Sequence, residues 1–318
     1  MTPLAAPICR GLLAAAILLL PCGSVTSAVA QGPTLRVASG VTPEGLATGQ
    51  WLAMIRKRLP DARYDSVAPI RKPLTTEDQA WEALVRSRAG AWEGEIAGVA
   101  EAYRPVAPPA SVLIVLGNRG AEDAFTHDPT TIGFDLAALQ ANYGDAGLPE
   151  NADRMDRFFR HEYTHLMQKA WWAMHPYAMD TPLRYALADI WAEGLGNYRS
   201  LSGRWKAIGG RRSEASAARL AELEPRFVAR LAALACTTPP RGDALMADLS
   251  WGRFDRKWGA LTAALWLEEE PGDPGEALRR LVVAGPDGVW DLAERHLPEA
   301  LRPVLREARL ADSLCAGR

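Results

Sequence analysis

Apolar and polar positions divide this chain into three kinds of stretch. Residues 11–20 are a continuous apolar run. Between residues 31 and 150, short β-type runs alternate with helical periodicities. Residues 34–39, 112–116 and 131–135 read as strands. Residues 46–58, 76–89 and 91–103 repeat apolar side chains at helical spacing. The proline-rich segment 104–110 and the turn-rich segment 117–120 punctuate this part. From residue 151 onward the pattern is helical, with further helices over 214–235, 258–267, 275–283, 289–296 and 298–310. The expected fold class is α+β: a small mixed α/β part over 31–150, a helix pair over 151–203, and a largely helical part over 204–318.

The helix pair is the most informative segment. The first helix has Asn151 or Asp153 as its candidate cap, and His175-Pro176 ends it, because the residue before proline avoids helical geometry. Phe158, His161, His165, Gln168 and Trp172 follow one stripe. The second helix starts with Thr181 as cap and Pro182 at its first position, and runs through Tyr198.

The stripe holds the chemistry. His161-Glu162-Tyr163-Thr164-His165 matches H-E-x-x-H. Histidines four residues apart share a helical face and can hold one Zn²⁺ at about 2.0–2.1 Å, while the glutamate serves as general base on a metal-bound water. A catalytic zinc needs a third protein ligand. Glu193 lies eleven residues into the second helix, and His165 nine or ten residues before the end of the first. Those arms measure about 14–17 Å at the helical rise, so a tight turn brings the two residues level. Asp189 and Asn197 share the face of Glu193 and can each accept a hydrogen bond from a ligand histidine. Gly194 and Gly196 point to close approach of another backbone or helix. His175 is the rival third ligand, ten residues past His165; a loop position beside proline suits it less.

The helical H-E-x-x-H followed by a glutamate on a second helix resembles the gluzincin branch of the zincin metallopeptidases. More narrowly, HEYTH and WAEGLGNY resemble exported bacterial peptidase MA-like proteins, which carry a W-x-x-E-G-x-A-x-Y block. Glu193, Gly194 and Tyr198 match that block; Trp191 stands two residues before Glu193 rather than three, and Gly196 replaces the usual alanine. The resemblance covers residues 151–203. It implies a zincin-like fold, a single Zn²⁺ held by His161, His165 and Glu193, hydrolysis of a peptide or protein substrate with Glu162 as base, and Tyr198 as candidate oxyanion donor. Tyr198 is five residues from Glu193, which turns it off the ligand stripe; Tyr185, Tyr177 and His175 are the alternatives. Strand 131–135 or 112–116 is either a candidate to pair with the substrate backbone, as an edge strand does in zincins, or an ordinary core strand.

Composition narrows the setting. A net charge of −2 suggests neither nucleic acid nor an anionic membrane surface as partner. Residues 1–30 read as a secretory signal, with Arg10, the apolar run and an Ala28-Val29-Ala30 cleavage site; the run is too short for a stable membrane span. Cleavage near Ala30 places the mature chain in the periplasm or outside the cell. It also removes two of four cysteines, leaving Cys236 and Cys315 as a disulfide or as two buried thiols. Eleven scattered tryptophans suit core and cleft packing better than sugar binding. Two other functional classes stay open: an exported non-catalytic scaffold or binding protein with a zinc-holding zincin shell, and a helical protein without metal.

Overall fold

The computed structural model describes residues 33–207, 209 and 211–315. The signal segment expected at 1–30 lies outside the described residues. Residues from Gly32 onward form one compact unit, so the three expected parts share one body.

The chain begins with β1 (Thr34–Ser39), α1 (Gly49–Arg56), α2 (Asp61–Val67) and α3 (Thr76–Ala100). Then come β2 (Ser111–Gly117), β3 (Ala124–Asp128), β4 (Thr131–Asp135) and α4 (Leu136–Tyr143). The helix pair is α5 (Pro149–Met174) and α6 (Pro182–Ser200). It is followed by α7 (Glu214–Leu234), α8 (Pro239–Leu245), α9 (Ala260–Glu268), α10 (Pro274–Ala284), α11 (Gly288–His296) and α12 (Arg302–Cys315). The α+β class is as expected. Among the described residues, no helix is long and apolar enough to cross a membrane.

Residues 76–100 form one helix, not two broken near Gly90. The stripe Trp81, Val85, Trp92, Ile96 and Val99 is buried along its whole length. Thr75 and Asp78 close a capping box at its start, each side chain taking the other's backbone N–H at 3.1 Å. Burial of that stripe outweighs the roughly 1 kcal/mol that Gly90 costs against alanine.

The sheet order is β1-β2-β4-β3, with β1, β2 and β4 parallel and β3 antiparallel to β4. The β3–β4 hairpin turns at Pro129-Thr130, where Asp128 Oδ1 accepts from Thr130 N at 2.8 Å. Neither of the two candidate strands for pairing with substrate has an open edge: β2 and β4 are central. The open edges belong to β1 and β3. Strand β3 is too short, and too mixed in polarity, to stand out by alternation. One sheet face, with Ile114, Leu116, Ile132 and Phe134, joins the main core around Trp92 and Phe159. The other face sets Val115 and Phe125 against Trp51, Met54 and Ile55 of α1.

Candidate metal centre

Helix α5 begins two residues before its expected caps. Pro149 occupies its first position and Leu148 is the cap, so no side chain caps the end; Asn151 is buried inside and donates to Asp145 O at 2.7 Å. Its core stripe is Met155, Phe159, Tyr163 and Leu166. The Phe159 ring stacks on Trp92 at 4.8 Å. That anchoring turns the neighbouring stripe, with His161 and His165, toward a cleft of about 820 Å³. Phe158 and Trp172 lie half-buried on the same cleft wall.

The turn between the helices does what its sequence asks. His175 caps the end of α5, and the Thr181 hydroxyl accepts from Arg184 N at 3.2 Å to start α6. The two helices then lie side by side, with Glu193 beside the histidines. Glu193 Oε1 is 3.3 Å from His165 Nε2, and Oε2 is 3.5 Å from His161 Nε2. The two Nε2 atoms are 3.0 Å apart. Ligands at 2.0–2.1 Å from a tetrahedral ion stand about 3.3 Å from one another. The three groups thus already have the spacing of a zinc ligand set, and they form the one such cluster among the described residues.

Hydrogen bonding sets the ring orientations. Gln168 Nε2 donates to Ala192 O at 2.8 Å, which turns Gln168 Oε1 toward His165 Nδ1 at 2.7 Å. An amide oxygen only accepts, so His165 Nδ1 carries the proton and Nε2 presents its lone pair to the centre. The Ser200 hydroxyl donates to Asn197 O at 3.1 Å and receives a longer contact, 3.5 Å, from His161 Nδ1. Three groups able to donate electron pairs therefore converge, and with no metal bound a proton on His165 is favoured by the same charges. The electrostatics register this. Burial opposes charge on His165, yet Glu193, Glu162 and the Gln168 contact together lift it to about 9. Burial also works against the Glu193 anion, but both histidines hold it well below the usual carboxylate range. The group could hold a metal ion.

Glu162 is buried and lines the cleft, and its carboxylate has no hydrogen-bond partner among the described residues. It is left available to a molecule in the cleft. The two glycines separate into different tasks. A Cβ on Gly194 would come 2.8 Å from Ala263 Cβ on α9, so this glycine lets two helices touch. A Cβ on Gly196 would lie 2.9–3.1 Å from three atoms of the His161 ring. The His161 imidazole takes the space that a methyl group at position 196 would need.

Several expected roles fall elsewhere. Asp189 accepts from the Ser250 hydroxyl rather than from a histidine, and burial raises it to about 6. Asn197 lines the cleft, but its Nδ2 is buried without a partner. The ring-holding contacts come from Gln168 and Ser200 instead. The Nδ1 of His165 points along its own helix, where Gln168 sits three residues on, and not across to the flank of Glu193. Tyr198 packs against the core and does not line the cleft; Glu268 and Arg199 are the charges nearest to it. Five residues rotate it about 140° from Glu193. The Tyr177 hydroxyl donates to Asp287 at 3.0 Å, and Tyr185 is an exposed residue near Asp189. The His175 ring stacks on Trp171 at 4.4 Å, outside the cluster. Cys236 is disulfide-bonded, while the Cys315 side chain lies outside the described residues.

In the opposite cleft wall the part contributed by the C-terminal half was expected, and the part contributed by β3 was not. The wall is built by β3, with Ala124 and Thr126, and by loops bearing Trp205 and Trp251. Lys169, one turn beyond His165, reaches Thr126. Gln168 was visible as a member of the histidine stripe, and Lys169 lies beside it on the same helix; Thr126, Trp205 and Trp251 come from distant segments with no motif. No family model, curated protein or solved structure matches the chain.

Proposed function

We propose that this chain is a zinc-dependent peptidase of the zincin type, exported from the cytoplasm. One observation carries the reading: His161 Nε2, His165 Nε2 and the Glu193 carboxylate, one oxygen toward each ring, stand 3.0–3.5 Å apart, beside the unpartnered Glu162 carboxylate, in an open cleft. Two further features support it. A small sheet precedes the histidine helix, as the zincin resemblance implies. The disulfide at Cys236 accords with an oxidising compartment.

His161, His165 and Glu193 would hold the metal, which supplies Lewis acidity toward a substrate carbonyl and makes a water easier to deprotonate. The residues of the chain do the rest. Gln168 and Ser200 keep the imidazole protons on Nδ1. Glu162 removes a proton from the attacking water and returns it to the leaving amine. The edge of β3 offers backbone groups to an extended peptide along one cleft wall. Asp123 O accepts from Asp135 N at 3.1 Å, so by ladder alternation Ala124 and Thr126 turn their backbone groups outward; Ala124 N already donates to Asp123 Oδ1 at 3.0 Å and Thr126 O accepts from Arg58 at 2.9 Å, which leaves Ala124 O and Thr126 N for a peptide.

The test is Glu162→Gln. Zinc content should stay at one per chain while cleavage of a mixed peptide library falls by about 10²–10⁴-fold. Equal cleavage by the zinc-loaded variant and the parent would overturn the reading.

A further inference from the structure

We propose that Lys169 forms a carboxylate-binding subsite, so that the cleft selects peptides with an acidic group close to the scissile bond. This rests on the peptide-cleft reading above and adds the chemistry of the substrate.

Lys169 is half-buried and lines the cleft. Its ammonium donates to Thr126 Oγ1 at 2.8 Å and lies 3.5 Å from Asp128 O. An ammonium has three donors, so one is left without an acceptor among the described residues. No carboxylate stands within ion-pairing distance of it there, whereas Arg58 pairs with Glu122 at 3.2 Å and Arg157 with Asp153 at 2.8 Å. Lys257, also unpaired, is placed differently: it lies 5.9 Å from the centre of the Phe254 ring, on the side of Asp189. Arg58 also donates to Thr126 O at 2.9 Å, so two cations grip the same residue of β3, its hydroxyl and its carbonyl. Burial lowers the Lys169 pKa, while Glu162 and Asp128 raise it from beyond ion-pairing distance.

Position supplies the register. Lys169 is four residues past His165, about 6 Å along the helix. An extended peptide advances about 3.3 Å per residue. A carboxylate on Lys169 therefore belongs within about two residues of the bond facing the metal centre. That carboxylate can be an Asp or Glu side chain or a free chain terminus; the chemistry at the ammonium is the same.

The test measures binding first, in zinc-loaded Glu162→Gln protein, so that no turnover is needed. Fluorescent peptides carry Glu, Gln or Lys at each position of a fixed frame, each with a free or an amidated C-terminus. The Glu peptide, or the free-acid form, should bind about 10-fold tighter than its neutral counterpart or more. In Lys169→Met and in Lys169→Gln, which keeps a donor for Thr126, that ratio should fall to about one. Lys169→Glu should favour the Lys peptide. Selectivity for internal Glu identifies a side-chain subsite; selectivity for the free acid identifies a terminal one. A ratio near one in the parent, or a ratio unmoved by both neutral variants while melting temperature and zinc content are unchanged, overturns the proposal. If selectivity holds but protein with intact Glu162 cleaves none of the peptides, peptide hydrolysis falls and the anionic subsite stands.

Discussion

Replacing Gly196 with alanine separates the demands of the helix from those of the metal centre. In helix α6 alone, alanine is better than glycine by about 1 kcal/mol. At this position the added Cβ would lie 2.9 Å from His161 Cε1, 3.0 Å from Nδ1 and 3.1 Å from Nε2. Carbon contacts settle at about 3.5–4.0 Å, so the ring must retreat by about half an ångström. A metal site tolerates ligand distances only within about 0.2 Å. Zinc affinity should fall about 10–100-fold, equivalent to roughly 1.4–2.8 kcal/mol, while the metal-free protein melts no lower than the parent. The assay is competition for zinc against a chromophoric chelator, paired with melting curves with and without zinc. Gly194→Ala is the contrast. Its Cβ meets Ala263 on α9 at 2.8 Å, so it should lower the melting temperature equally in both states. If Gly196→Ala binds zinc within twofold of the parent and keeps the full zinc-dependent rise in melting temperature, the assignment of His161 as a ligand in this rotamer is wrong.

Other outcomes follow from the same contacts. Gln168→Leu removes the acceptor that holds the His165 Nδ1 proton and should weaken zinc binding about 10–100-fold, measured by the same competition; an unchanged affinity refutes the tautomer argument. A chelator should lower the melting temperature of the zinc-loaded parent but not of His161→Ala/His165→Ala, because only the former gains binding free energy on folding. Glu270 should control acid stability. Burial disfavours its charge, but Arg295, Arg280 and His296 donate at 2.8–2.9 Å and bring it down to about 2. A carboxyl depressed in the folded state stabilises above its ordinary value of 4.5, and that contribution is lost as pH falls from there toward 2. Parent and Glu270→Gln should therefore differ by roughly 1–3 kcal/mol at pH 6 and converge near pH 2, followed by denaturant melts; a gap independent of pH contradicts this.

The sequence by itself determined the helix pair and what it carries. Thr181-Pro182 and His175-Pro176 fix where two helices stop and start, because capping and proline geometry are local. Helical periodicity then puts His161 and His165 on one face, and rise per residue brings Glu193 level with them. Among the described residues, five of the six helices after α6 were legible for the same reason, to within a few residues at most ends; α8, which opens on Pro239-Pro240, was not. Contacts between remote segments were not legible. That β3 rather than β4 holds the cleft edge depends on which strand β2 pairs with, a choice made by the whole sheet. That Gln168 and Ser200 hold the rings, and Asp189 and Asn197 do not, depends on the rotation of α5 about its axis. That rotation is set by Phe159 stacking on Trp92, 67 residues away. Tertiary packing also decided that Gly196 faces an imidazole while Gly194 faces another helix, since both follow the same local rule for glycine and only the neighbour differs.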